Sequence, residues 1–309
     1  MTLTEADDRH HEVGDPHPLW TETTWWGLVV PDRSLGGMIY TLLRPNLGVA
    51  TLLVAIWDAD ATEPWRVPYH RSQWHIPFPK GELDDIDIGG FRLRCVDPLR
   101  TYDLAYEDGA AMALDLRFEG VMEPHVVYAQ REVGHFDQLG RLTGTIATCG
   151  KTIEVDALAI RDRSWYVRDD ARSLRAGYTY GAVDEDHHFL AFTQPDGGAE
   201  AGPVVGGYLI RDGEKAALTG GTRTIVSRRR GHPDEIAIDA TDELGRSLHV
   251  AGRVAASMAS QSTPLMFSWM SIVDWTIDGE PGHGEDHDVW SPDLLARPAA
   301  AGAIGGTNG

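Results

Sequence analysis

His135-Phe136-Asp137-Gln138 and, two strand-like runs later, Arg161-Asp162-Arg163-Ser164-Trp165-Tyr166-Val167-Arg168-Asp169-Asp170 form the stretch on which the fold turns. The last ten residues hold three arginines, three carboxylates and two large aromatics. Buried charges must be paired and hydrogen-bonded, because stripping them of water costs several kcal/mol each. The run therefore reads as a structural ion-pair network or as the polar end of an apolar pocket. On an extended strand Arg161 and Arg163 share one side and Asp162 takes the other, so one pocket does not receive all three.

Outward from this stretch the chain is punctuated as β structure. Leu142 to Thr148 and Thr152 to Ile160 flank the tight turn Cys149-Gly150-Lys151. Leu114, Leu116 and Phe118 alternate with Asp115 and Arg117, the period of a half-buried strand. After residue 170 the pattern restarts, with Val205 to Ile210 entering Arg211-Asp212-Gly213 and Asp242-Glu243-Leu244-Gly245 joining two more runs. Helical signals are scarce. The chain reads as all-β, in antiparallel barrels or sandwiches rather than βαβ units, with two halves meeting near residue 170. The acidic, His-rich residues 1–17 and the Ala/Gly-rich residues 297–309 read as disordered.

Composition narrows the function. Among 309 residues, 27 Lys+Arg against 47 Asp+Glu leave a net charge of −20, which argues against nucleic acid and against anionic lipid as partners. The longest apolar run, Val49 to Ile56, is strand length, well short of the roughly twenty residues of a membrane helix. Met1 to His17 has no apolar signal-peptide core, and the two cysteines, Cys95 and Cys149, read as free thiols; the expectation is a cytoplasmic protein. A small hydrophobic molecule is the expected partner, with no membrane insertion, and a homodimer stays open.

The run Gln138-Leu-Gly-Arg141-Leu-Thr-Gly144, then Arg161-Asp162-Arg163-Ser164-Trp165 and Arg168, resembles a bacterial family of two-domain lipocalin-like (calycin-type) proteins. That family is grouped with carotenoid 1,2-hydratases, tocopherol-cyclase-like proteins and lipocalin-like cyclases and Diels-Alderases. Glu22-Thr-Thr-Trp25-Trp26, Gly36-Gly37 and Arg44-Pro45-Asn46 carry the same resemblance. It implies two consecutive lipocalin-like antiparallel β-barrel/sandwich domains with few short helices, over residues 18–170 and 171–296, and a ligand pocket at or between their mouths. It also implies hydratase, dehydratase, isomerase or cyclase chemistry on hydrophobic skeletons, without a cofactor. The chain departs from the family where Arg163 replaces a frequent histidine, Tyr166 a glycine and Asp170 an aromatic.

Such chemistry needs an acid near a double bond or hydroxyl, an apolar cavity and something to stabilise developing charge. Asp162 is the first candidate acid, since desolvation would hold it protonated; a permanent pair with Arg161 or Arg168 is the competing role. His135 and Asp137 share a strand face and could form an oriented base, or belong to a surface loop. Glu22, beside Trp25 and Trp26, is a further catalytic candidate or a solvent-facing edge residue. Trp165, Arg161, Arg163, Gln138, Tyr178, Tyr180, Trp26, His188 and Trp269 are the candidate substrate contacts; barrel core is the alternative for the aromatics. His283 and His287, four apart among acids, would ligate zinc on a helix, but the flanking glycines favour a loop, and no metal or other cofactor is expected. There is no dinucleotide fingerprint, phosphate loop or Gly-x-Ser-x-Gly elbow. An apolar-metabolite carrier is the rival to the enzyme.

Overall fold

The computed structural model describes residues 3–129, 133–168, 173–263 and 265–295. Asp169, Asp170 and the 297–309 tail lie outside them. Eleven antiparallel strands precede residue 168: β1 (Trp20–Val30), β2 (Leu35–Arg44), β3 (Val49–Trp57), β4 (Tyr69–Pro77), β5 (Asp85–Ile88), β6 (Phe91–Asp97), β7 (Thr101–Asp108), β8 (Met112–Gly120), β9 (His125–Ala129), β10 (Gly134–Thr148) and β11 (Lys151–Val167). They form one sheet in the order β4-β3-β2-β1-β11-β10-β8-β7-β6-β5, with β9 added to β10. Side chains tie β4 to the other end of this curled sheet. The Tyr69 and Tyr106 hydroxyls are 2.6 Å apart, and Gln73 Nε2 donates to the Gly89 carbonyl at 2.8 Å.

Eight further strands close a complete antiparallel barrel: β12 (Arg175–Ala182), β13 (His188–Thr193), β14 (Ala201–Arg211), β15 (Glu214–Arg229), β16 (His232–Asp242), β17 (Ser247–Thr263), β18 (Met266–Ile277) and β19 (Glu280–Trp290). A single turn of α-helix, Pro292–Leu295, follows. The architecture is the expected all-β pair of lipocalin-like barrels. Among the described residues no helix is long and apolar enough to cross a membrane, and Cys95 and Cys149 are free.

Burial patterns tell which strands face what. β8 alternates buried Leu114, Leu116 and Phe118 with exposed Asp115 and Arg117, because its outer face meets water. Every residue of β1 is buried, and nearly every residue of β2 and β3, so the apolar run Val49–Ile56 is covered on both faces. One face turns Trp26 and Leu28 into the first barrel's interior, in one cluster with Leu104 of β7 and Phe118 of β8. The other packs Trp25, Met38, Tyr40, Leu53 and Trp57 onto Tyr180, Leu190, Tyr208, Met258 and Met270 of the closed barrel. Each large apolar side chain so buried contributes about 1.5–3 kcal/mol. The layer as a whole therefore rivals a typical net stability of about 5–15 kcal/mol, and it holds the barrels together.

Glycines of the first barrel let side chains of the closed barrel come close to its backbone in this layer. A Cβ on Gly27 would lie 2.7 Å from Glu285 Oε1, and one on Gly36 2.5 Å from Ile272 Cγ1.

The N-terminal residues depart from the expectation of disorder. Glu5–Asp8 forms a 3-10 turn, and Asp7 and Asp8 are buried against the first barrel. Asp8 accepts hydrogen bonds from the Tyr102 hydroxyl and the Leu99 amide, and His11 stacks on Trp165 at 3.6 Å. The segment docks because Arg161 and Arg163 point into the barrel and need acceptors there. Composition alone does not reveal that demand.

Candidate functional site

Residue parity along β11 assigns two different jobs. Arg161, Arg163 and Trp165 project into the first barrel, while Asp162, Ser164 and Tyr166 face the closed barrel across a cavity of about 410 Å³. Trp25, Met38 and Tyr40 from the first sheet, and Phe192, Met270 and Val289 from the second, supply much of its apolar wall. His135, Asp162, Ser164, Arg168, Tyr178 and His287 gather the polar groups.

The polar end follows from strand register. Asp137 of β10 lies directly across from Asp162 of β11, and His135 across from Ser164. His135 Nε2 is 3.3 Å from Asp137 Oδ1, and the Tyr178 hydroxyl donates to the same oxygen at 2.8 Å. One ligand-type atom from each of His135, Asp137 and Asp162 lies within 4.8 Å of the others. Such spacing would admit a small cation, but Asp137 Oδ1 is already engaged by Tyr178 and His135. Thr23 Oγ1 and Ser164 Oγ are 2.7 Å apart, and Arg168 donates to Ser164 at 3.2 Å.

Electrostatics separate the two faces. Desolvation and the Asp137 charge push the Asp162 carboxyl up to about 6, against the pull of His135, Arg168 and His287. Burial disfavours His135 as a cation, but the carboxylates of Asp137 and Asp162 outweigh it and raise its pKa. On the inward face burial would raise Glu22; instead Arg163 and hydrogen bonds from His10 and His11 hold its carboxyl well below the usual range.

The candidate residues fall into three groups. Asp162, His135 and Tyr178 line the cavity, with Asp137 bonded behind them. Glu22, Trp26, Arg161, Arg163, Gln138 and Trp165 do not line it. Arg163 pairs with Glu22 at 3.0 Å and donates to the Asp7 and Arg9 carbonyls; Arg161 donates to Gln138 and lies 4.2 Å over the Tyr102 ring. Arg161, Arg163, Glu22 and Trp165 hold the N-terminal segment, because strand parity turns them inward. Tyr180 and His188 are buried between the barrels but off the cavity wall, and Trp269 packs on His232 and Phe267, turned away from Ser268 and Met270.

His283 and His287 lie on a strand, not in a loop. Four residues along a strand span about 13 Å, too far for shared bonds of about 2 Å to one zinc. The strand forms there because its inward acids are matched: Asp286 takes two hydrogen bonds from Arg223, and Asp288 pairs with Arg175 and Arg228. His287 thereby reaches the cavity, a placement the sequence reading missed; the alternation of His283, Glu285, His287 and Val289 is the signal that shows it.

A family model described as a domain of unknown function, DUF7064, matches residues 4–286. No curated protein matches the chain. Among solved structures, a candidate AttH from Nitrosomonas europaea aligns with a TM-score of 0.66 at 13% identity, over 94% of this chain and 97% of that one. CghA with Sch210972 aligns at 0.55 and 12% identity, over 89% of both chains; a second CghA structure aligns at 0.53 and 12%, over 89% of this chain and 88% of that one. At these identities the likeness is one of fold.

Proposed function

The chain belongs to the DUF7064 family, and we propose that it is a cofactor-independent lyase or isomerase that hydrates, dehydrates or cyclises an apolar terpenoid-, steroid- or polycyclic-type substrate held between its barrels. The observation that carries this reading is Asp162: a carboxyl lifted to about 6 by burial on the wall of an aromatic-lined cavity, against the pull of His135 and Arg168. A carboxylic acid that keeps its proton up to about pH 6 can protonate an alkene or a departing hydroxyl. His135, held by Asp137, is the base that accepts the proton on return, and Tyr178 orients Asp137. CghA, of the same fold, is described with Sch210972, which supports a ligand-taking cavity.

Incubation with a panel of terpenoid and polycyclic alcohols and alkenes in deuterated, ¹⁸O-labelled water tests the reading. Turnover should place label in recovered substrate or product, survive a metal chelator, and vanish in Asp162→Asn. Binding of panel compounds with no label or mass change would instead establish a carrier.

A further inference from the structure

The cavity has a second wall, supplied by β19 of the closed barrel. On β19, His283, Glu285, His287 and Val289 face the first barrel, while Asp286 and Asp288 point into the closed one. His287 lines the cavity with its Nε2 2.9 Å from Glu285 Oε2, which leaves Nδ1 as the other ring nitrogen. The ring is fixed on two sides, stacked on Tyr178 at 5.1 Å and met edge-on by Trp25 at 5.0 Å. Glu285 is fully buried; burial raises its carboxyl, opposed by His287 and Tyr180.

Glu22, Asp286 and Asp288, inside the barrels, each face an arginine, a permanent cation, and Glu22 faces His10 and His11 as well. Asp137 and Glu285, on the cavity side, each face a histidine, which can gain or lose a proton. Tyr178 lies between the two carboxylate-histidine pairs, donating to Asp137 and stacking on His287.

We infer that His287, oriented by Glu285, is a second proton-transfer residue, acting from the closed barrel on the substrate face opposite Asp162. The inference rests on the lyase reading above and sharpens its substrate: an apolar alcohol with a removable hydrogen on the carbon next to the hydroxyl-bearing one. His287 takes that C–H proton, and the C–H electron pair becomes the new C=C bond. The C–O bond breaks as Asp162 gives its proton to the departing hydroxyl, which leaves as water. His287 gains one proton and Asp162 loses one; exchange with water restores both. Hydration is the same sequence reversed.

The test isolates the base from the acid. 5-Nitrobenzisoxazole opens on loss of a single C–H proton with N–O cleavage, and the cyanonitrophenolate product is coloured, so this probe needs a base in an apolar cavity and no acid. Wild-type protein should accelerate its opening. His287→Ala should slow it at least tenfold, and added imidazole should restore it. Glu285→Gln should lower it less, and Gly198→Ala, with nothing within 4 Å of the added Cβ and no place in the cavity wall, should leave it unchanged. Nile red binding, unchanged in each variant, checks that the cavity still folds. An unchanged rate in His287→Ala, or no acceleration by wild type, would overturn the inference. If Asp162→Asn abolished label exchange while His287→Ala altered neither assay, the inference alone would fall and the lyase reading would stand.

Discussion

Asp162 and Glu22 lie on neighbouring antiparallel strands and on opposite faces, and their carboxyls are driven in opposite directions. Asp162 is desolvated beside Asp137 and rises to about 6; Glu22, clamped by Arg163 and two histidines, falls below the usual range. Opposite signs give opposite dependences on pH.

Removing the Asp162 charge should stabilise the protein while abolishing activity. With a folded pKa above its unfolded value of 3.8, Asp162 favours the fold when protonated, and that contribution is lost as pH rises from about 4 to about 6. Asp162→Asn should therefore gain about 1–3 kcal/mol at pH 7 in urea unfolding and nothing at pH 3.5. Acid-dependent turnover by the wild type should decline as pH rises through about 6. Equal stabilities at pH 7 would place the Asp162 carboxylate in water.

Glu22→Gln should cost about 3–5 kcal/mol, because it strands the buried Arg163 guanidinium. Glu22 stabilises the fold above its ordinary value of 4.5, and that contribution is lost as pH falls below it. The variant's deficit should shrink in acid. Limited proteolysis should cut residues 4–12 sooner in the variant than in the wild type, since Arg163 also binds the Asp7 and Arg9 carbonyls.

His135 should titrate above 6.5 in NMR, and Asp137→Asn should drop it below, because burial then acts with less opposition. A histidine raised in the folded state stabilises below its unfolded value, and that contribution is lost as pH rises through the folded one. The substitution should move this loss to lower pH. An unmoved His135 resonance would dissolve the proposed pair.

Gly36→Val should destabilise by about 1–3 kcal/mol and weaken Nile red binding, since the new side chain meets Ile272 and Trp57 between the barrels. Gly198→Ala, with nothing within 4 Å, is the control and should change neither. Equal thermal shifts in the two would mean that the barrels yield at this contact.

Much of this was readable from residue order, in specific places. Leu114-x-Leu116-x-Phe118 announced a strand with one wet face, and the unbroken Val49–Ile56 run a strand with none. The parity of Arg161, Asp162 and Arg163 correctly divided the charges between faces. What parity does not tell is which face meets the ligand, because that depends on a barrel built from residues 175–290. The N-terminal segment and the His287 strand were misjudged for one reason. Both are polar and look loop-like, and both are ordered by distant arginines, Arg163 for one and Arg223 with Arg175 for the other.

The two-faced strand β11 also separates what can change from what cannot. Inward Arg161, Arg163 and Trp165 are committed to a many-membered lock, where one substitution strands several partners. Outward wall positions such as Met38, Phe192 and Met270 touch mostly other apolar groups and the cavity. Mutational drift can thus reshape the ligand space while the lock stays untouched. Libraries confined to those outward positions should yield folded proteins with altered ligand preference far more often than libraries of equal size built on the inward ones.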